Sequence, residues 1–504
     1  MPKKISLKHF HVSLARGFAA DWFWRMSVLV FALQAGFIAL VGRYSMAFDE
    51  YYHLGTIQLY AKTWLPWHIV HPTGPAHFGA ITTDGSYLYH YLMSFPYRVL
   101  DVFISNQTAQ IIALRLIDVA IVVAGFYVFR RVLRALGMTR GAAQAALVFI
   151  MFIPVTTFLA GQLTYDALFF TCCGLAMLPL VRFVQSLDKH GTVSLARAAW
   201  TAAICLVTLQ VKYAFAPIIF GAGVYIVWLV VVRVYRRQLD WRGVAQQWRK
   251  QSKTSLGLLA VGVLLLTSVF FLQRYGMNLV RYNSLTPDCD KVLSVTECLE
   301  FDPYGRDAGF KERNLKSFID HKDLAMYPYN WFTQMIRELY FTVGPREVGY
   351  APGAPLPSAY ITGYMIAIIS IALVTFRLRA IISKGVETRL LLSIVVAYIA
   401  FLFAKNLSAY VQTGVPVAIH GRYILPLLPL MAYGVYVAVR SLPKRFFAHT
   451  KSYQSVVFAV LFVATLYGGG IAPYIIRSND SWQWPKAVPT TRVVRSIVWP
   501  ITWR

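Results

Sequence analysis

Residues 110–134 read QIIALRLIDVAIVVAGFYVFRRVLR. From 110 to 130 the run is long and apolar enough to cross a bilayer as a helix, which takes about 20 residues. It ends on Arg130, Arg131 and Arg134, with Arg140 just beyond. Short loops rich in Lys and Arg mark the cytoplasmic side of membrane proteins. The stretch therefore predicts a spanning helix whose C-terminal end lies inside. The same pattern repeats along the chain. Apolar runs at 22–42, 141–159, 164–183, 196–212, 214–232, 254–275, 358–376, 388–404, 421–440 and 453–476 bring the expected spans to 11.

Charge follows the runs. More than half of the 49 Lys and Arg residues fall in the connectors 1–21, 130–140, 182–197, 233–253, 377–389 and 440–451. Of the 22 acidic residues, only Asp21, Asp188, Asp240 and Glu387 lie there. A split this sharp places the N-terminus inside and the C-terminal tail outside. The segment 87–104 (YLYHYLMSFPYRVLDVFI) tempts a further span. Counting it would carry the Arg130–Arg140 run to the outer side. It also holds His90, Pro96, Arg98 and Asp101 among tyrosines, so it reads as an interfacial or re-entrant helix on the outer face.

Composition agrees. The 504-residue chain is 57% hydrophobic and 14% charged, with mean hydropathy +0.52. Soluble domains carry about 25% charged residues. A net charge of +27 could suggest nucleic acid, but here it is spread over membrane-flanking connectors that suit anionic lipid headgroups. Nucleic-acid binding is set aside. Cys172, Cys173 and Cys205 sit inside apolar runs as small hydrophobes. Cys289 and Cys298 share a polar loop, where a disulfide is plausible if that loop is extracytoplasmic.

The expected organisation follows. A cytoplasmic basic N-terminus (1–21), read as leading into an uncleaved signal anchor, precedes a transmembrane module (22–275) with a first outer loop at 43–110. A large extracytoplasmic loop (276–357), C-terminal transmembrane helices (358–476) and an extracytoplasmic tail (477–504) follow. Loops as long as the two outer ones are usually functional or disordered.

The residues able to do chemistry gather at the outer ends. Asp49 and Glu50 open FDEYYHLGTIQLYAKTWLPW (48–67), with His53 one helical turn on. A carboxylate at the bilayer edge is partly desolvated, which raises its pKa and suits it to act as a base. Asp is equally a favoured helix cap, and both readings stay open for Asp49. Asp166 opens the run 164–183; a carboxylate at membrane depth is a functional candidate, though helix N-termini also favour acids. Asp49 and Asp166 together could hold a divalent cation such as Mg or Mn through hard oxygen ligands. Lys212, in LQVKYAFAP, and Arg422, in HGRYILPLLP beside His420 and Tyr423, are cations on the side where positive charge is scarce. They suit a lipid phosphate or diphosphate. Arg115 and Lys405 read instead as headgroup-facing side chains at helix ends. Tyr51, Tyr52, Tyr87, Tyr89 and Tyr91 suit either sugar stacking or an interfacial aromatic belt, as do Tyr327, Tyr329 and Trp331. HExxH, paired CxxC and GxSxG are absent and no Gly-rich phosphate loop stands out, which argues against P-loop, zinc-protease and serine-hydrolase chemistry.

In this order the motifs resemble the GT-C superfamily of membrane glycosyltransferases, on the protein O-mannosyltransferase and lipid A aminoarabinose transferase branch. They are Phe48-Asp49-Glu50, SYLYHYLMSFP (86–96), Ala113-Leu114-Arg115-Leu116, Asp166 after Pro154, Lys212-Tyr213, and Gly421-Arg422-Tyr423 before Pro426. The resemblance implies an all-α GT-C-like bundle in the bacterial cytoplasmic membrane. It implies inverting transfer of a sugar from a polyprenyl-phosphate carrier to an extracytoplasmic glycan, lipid or protein. Asp49 would be the base or a metal-site acid, and Glu50 would orient the acceptor or a cation. His53, Asp166, Lys212, His420, Arg422 and Tyr423 would line the substrates, with Lys212 and Arg422 on the carrier phosphate. One departure is Asp84-Gly85-Ser86, where the family often has a Pro-Pro pair. A lipid-linked glycan polymerase or ligase, and a lipid-carrier flippase or transporter, are the other readings; Asp118 is the main intramembrane acid a flippase would use.

Overall fold

The structure, a computed structural model, describes residues 16–46, 49–236, 238–239, 241–314, 321–340, 342–343, 352–353, 356–443 and 468–502. The basic residues expected at 3–8, Phe48, and 453–467 of the eleventh expected span lie outside these.

Helices dominate. α1 (Asp21–Val41) leads into α2 (Glu50–Ala61) and α3 (Leu88–Phe103). α4 (Gln107–Ala135), α5 (Arg140–Met151), α6 (Pro154–Ala160), α7 (Tyr165–His190), α8 (Leu195–Val211) and α9 (Ala216–Tyr235) follow. After α10 (Trp241–Gln251), α11 (Ser255–Phe271) runs through a π turn at Leu272–Gly276 into α12 (Met277–Tyr282). Then come α13 (Asp302–Asn314), α14 (His321–Arg337), α15 (Pro357–Phe376), α16 (Val386–Thr413), α17 (Leu428–Arg440), α18 (Ala472–Arg477) and α19 (Val488–Thr502). The only strands among the described residues are the antiparallel two-residue pieces Thr342–Val343 and Pro352–Gly353.

Eight helical stretches among the described residues are long and apolar enough to cross a membrane, or nine if the bent pair α5 and α6 is one span. The expected single helix over 141–159 is bent by 72° at its break. The cause is Pro154, which has no N–H to donate and disfavours helical geometry in Ile153 before it; Ile153 is extended at ψ 125. Other spans run past their expected ends: α16 reaches Thr413 rather than 404, and the helix begun at Ser255 reaches Tyr282.

The bundle has a centre and a rim. α7 is 67% buried over its apolar window, whereas Ser255–Tyr282 and α15 are 11% buried and face outward. Phe31, Phe126, Phe129 and Phe170 meet edge-on or tilted between α1, α4 and α7, with centroids 4.8–5.2 Å apart in successive pairs. Aromatic pairs in such geometries add to plain area burial.

The ends of the bundle match the charge split. Asp21, at the start of α1, pairs with Arg130 (2.9 Å) and Arg140, at the end of α4 and the start of α5. The opposite end collects the Asp49 loop, the starts of α4 and α7, the end of α8 and the residues before α17. There, the described residues of both long connectors include helices packed against the bundle end. α3 runs alongside α2 in the same direction: His53 meets His90 near their starts, and Arg98 Nε and Nη2 donate to the carbonyls of Ala61 and Tyr60 at the end of α2. Cys289 and Cys298 form a disulfide. The short helix ending at Cys298 lies against the first connector, where Ala76 N–H donates to Glu297 O at 3.2 Å. The C-terminal tail also docks: Arg43 N–H donates to Trp482 O and Trp484 N–H to Val41 O, holding 482–484 against the end of α1.

Candidate active site

Asp49 is the N-cap of α2 but does not cap it. Its backbone sits in the left-handed region (φ 71) and its side chain makes no cap hydrogen bond. Non-glycine residues hold that geometry at a cost of order 1–3 kcal/mol, and such strain clusters at functional sites. The carboxylate is half exposed and its Oδ2 stands 3.6 Å from Arg422 Nη2.

Arg422 is buried at 7% exposure and lies between two acids. Its Nη1 is 3.8 Å from Asp166 Oδ2 on the other side. It sits in the 3-10 turn Gly421–Leu427 that Pro426 imposes before α17. Gly421 lets the turn approach the end of α14 closely: a Cβ there would fall 2.7 Å from Leu339 N and 2.8 Å from Met335 O.

Asp166 lies in the first turn of α7, whose N-cap is Thr164, with the Thr164 hydroxyl accepting from Asp166 N–H. Its Oδ1 accepts from Lys212 Nζ at 2.5 Å, both side chains buried. Lys212 closes α8 in an extended conformation, and its ammonium lies over the rings of Tyr165 (4.3 Å) and Tyr423 (5.1 Å). The structure thus brings Asp49, Arg422, Asp166 and Lys212 into one chain of alternating charge, with the Tyr423 ring beside Lys212. His420 sits at its edge, with Nδ1 3.3 Å from Glu338 Oε2.

Glu50 is placed beneath this chain rather than in it. Its Oε1 accepts from Arg115 Nε (2.7 Å) and Leu163 N–H (3.0 Å); its Oε2 accepts from Arg115 Nη2 (2.7 Å) and Met46 N–H (2.7 Å). Arg115 Nη1 donates to Gly42 O and Ala39 O at the end of α1. Arg115 is therefore a fully buried clasp and does not reach a headgroup. With both Glu50 oxygens engaged twice, none is left for an acceptor or a cation. Asp49 and Asp166 flank the Arg422 guanidinium on its two sides, and among the described residues no group of three or more His, Cys, Asp or Glu could hold a metal ion.

His53 faces inward. Its Nδ1 is 2.8 Å from His90 Nε2, the rings stack 5.1 Å apart, and Tyr165 meets His53 edge-on at 4.7 Å. Burial, then the neighbouring imidazole and the Arg422 and Lys212 cations, hold His53 well below the usual imidazole range. Burial brings His90 down to about 4 against a partial counter-effect from Asp84. The pair is neutral and polar beneath two cations.

Tyr52, Tyr87, Tyr89, Tyr91 and Tyr327 are held by specific partners, whereas Tyr51 and Tyr329 are exposed. Tyr87 donates to Gln210 Oε1 (2.8 Å), Tyr89 to Asp118 Oδ2 (2.6 Å) and Tyr91 to Trp64 O (2.8 Å). Asp118 also accepts from Thr164 N–H, so it fixes the start of α7. Tyr52 donates to Asp84 Oδ2, and Asp84 Oδ1 accepts from Ser86 N–H, which turns the Asp84–Ser86 corner that stands in place of two prolines. Tyr327 stacks on Tyr410 and Trp331 donates to Asn406 Oδ1, pinning α14 to α16.

Arg274, unremarked in the sequence, is 1% exposed in the π turn. It donates to the carbonyls of Ile81, Thr82 and Pro66 and to the Tyr60 hydroxyl, and lies 4.5 Å over Tyr87. Asn278 one turn on donates to Thr83 O. A cation at the end of a span is the same signal that singled out Lys212 and Arg422.

Among solved structures, the chain is similar over 96% of its length to the crystal structure of ArnT from Cupriavidus metallidurans in the apo state, at 14% identity, TM-score 0.43 and 74% of that chain. The same enzyme bound to undecaprenyl phosphate gives 13% identity and TM-score 0.43, with the same shares of both chains covered. The cryo-EM structure of arabinosyltransferase EmbB from Mycobacterium smegmatis matches 99% of this chain at 15% identity and TM-score 0.42; the chain spans 44% of it. No curated protein matches. Residues 67–431 match the family described as predicted membrane protein (DUF2142), and the chain belongs to that family of integral membrane proteins.

Proposed function

We propose that this protein is a membrane glycosyltransferase that moves a sugar from a polyprenyl-phosphate carrier to an extracytoplasmic acceptor. The observation that carries the reading is the Asp49–Arg422 pair: a strained, half-exposed carboxylate 3.6 Å from a buried guanidinium. The acceptor hydroxyl attacks the anomeric carbon and its proton passes to Asp49. The bond from that carbon to the phosphate oxygen breaks, and the electron pair leaves with the polyprenyl phosphate. One displacement inverts the anomeric centre. Arg422 and Lys212 hold the phosphate and stabilise the charge it gains; in a dry setting fixed cations act more strongly than in water. In the resting protein these cations are neutralised by Asp49 and Asp166. Lys212 keeps Asp166 when phosphate arrives, whereas Arg422 trades its looser contacts of 3.6 and 3.8 Å for phosphate oxygens. Glu50, Arg115, His53 and His90 are positioning residues. The cation role at Asp49 and Asp166 is assigned to Arg422, and no step is routed through a metal. The outer ends of the spans face the extracytoplasmic side, and the membrane is the bacterial cytoplasmic one.

The test is purified protein in nanodiscs given a panel of radiolabelled polyprenyl-phosphate monosaccharides. Transfer or slow hydrolysis of one donor, with inverted product by NMR, supports the reading. Movement of carrier between leaflets with no turnover of any donor supports a flippase instead.

A further inference from the structure

We infer that the seam between α9 and α16 is where a polyprenyl phosphate docks from the bilayer, with Lys405 receiving the phosphate ahead of Lys212 and Arg422; this rests on the function proposed above. Lys405 lies on α16 inside a membrane span, yet it is exposed. Its ammonium donates to the hydroxyl of Tyr213 and lies 4.7 Å from that ring. Tyr213 follows Lys212 directly and is 40% exposed, so the exposed and the buried cation are joined by adjacent residues. A phenol is a weak partner for an ammonium, and a phosphate oxygen would replace it with a stronger, charge-assisted bond.

Below this polar head the seam is apolar. Phe401, one turn before Lys405 on the same face of α16, meets Phe220 of α9 with centroids 5.4 Å apart, and the two are 49% and 56% exposed. One step deeper the seam shuts. Ser393 Oγ donates to Gly221 O at 2.7 Å, and a Cβ on Gly221 would fall 2.7 Å from Ser393 O. From the outer end inward the seam therefore offers a cation and a phenol, then two exposed rings, then closed backbone contact. That sequence fits a phosphate followed by its first isoprene units. It also sets the phosphate beside the site, one residue from Lys212.

The experiment is undecaprenyl phosphate binding to the full-length protein in phosphatidylcholine nanodiscs, read by native mass spectrometry for wild type, Lys405→Met and Lys405→Arg. Unchanged melting temperatures serve as the folding control. Losing a charged hydrogen bond predicts about tenfold weaker binding for Lys405→Met, largely restored in Lys405→Arg. Equal binding by wild type and Lys405→Met overturns the seam and leaves the proposed function standing. A loss that appears only when phosphatidylglycerol is included makes Lys405 a headgroup contact and also overturns it. Failure of the wild type to bind the carrier overturns both.

Discussion

Glu50 and Arg115 meet as a two-pronged ion pair, each prong 2.7 Å, with neither side chain exposed. Adjacent Asp49 and Glu50 thus divide their work: one carboxylate looks out, the other locks the connector to α1, α4 and the start of α7. Breaking one partner of a buried pair leaves an uncompensated charge and costs about 3–5 kcal/mol. Arg115→Met and Glu50→Leu should each fall sharply in melting temperature in detergent. Arg115→Lys should not rescue, because an ammonium cannot supply the fork. Near wild-type melting of Arg115→Met would contradict this.

The stacked imidazoles make stability depend on pH. His90 is held at about 4 and His53 is also held below 6.5, so both are neutral when folded, while in the unfolded chain they take up protons near 6.5. Stability is therefore full above about 6.5 and declines as pH falls toward about 4. Melting temperature should drop across that window, and His90→Gln should flatten the slope. An unchanged slope would remove the pair from the account.

Arg274 should control how firmly the first connector is held. Replacing it by Met strips donors from four acceptors. Hydrogen exchange across residues 60–83 should accelerate at least about tenfold, the equivalent of one lost bond of this kind. Exchange at the rate of wild type would show that Asn278 alone suffices.

Arg422→Ala should act on the donor. Loss of one to two charged hydrogen bonds raises the donor KM by about 10- to 100-fold. A loss confined to acceptor KM would misplace the phosphate.

Much of the fold was legible in the sequence because spanning helices announce themselves by length and charge. The break at Pro154 was missed because hydropathy averages over a proline. Of the candidate site, Asp49, Asp166, Lys212 and Arg422 could be picked out because positive charge is scarce at that end of the spans and a carboxylate at membrane depth is a functional candidate. Glu50 could not be told from Asp49, since adjacent residues on a helix point apart and only the position of Arg115 decides which is buried. Tyr87 and Tyr89 looked like interfacial residues because aromatic content says nothing about partners such as Gln210 and Asp118. Arg274 carried the same signal, a cation at the end of the expected span 254–275, but nothing in the sequence marks the π turn that buries it.

The most direct test compares wild type with Asp49→Asn for transfer from a radiolabelled polyprenyl-phosphate sugar under single-turnover conditions, with carrier binding measured alongside. The account predicts that Asp49→Asn folds and binds the carrier but loses transfer by at least about a hundredfold, the low end of what general-base catalysis contributes. Transfer at the wild-type rate by Asp49→Asn would contradict the role of that carboxylate and the mechanism built on it.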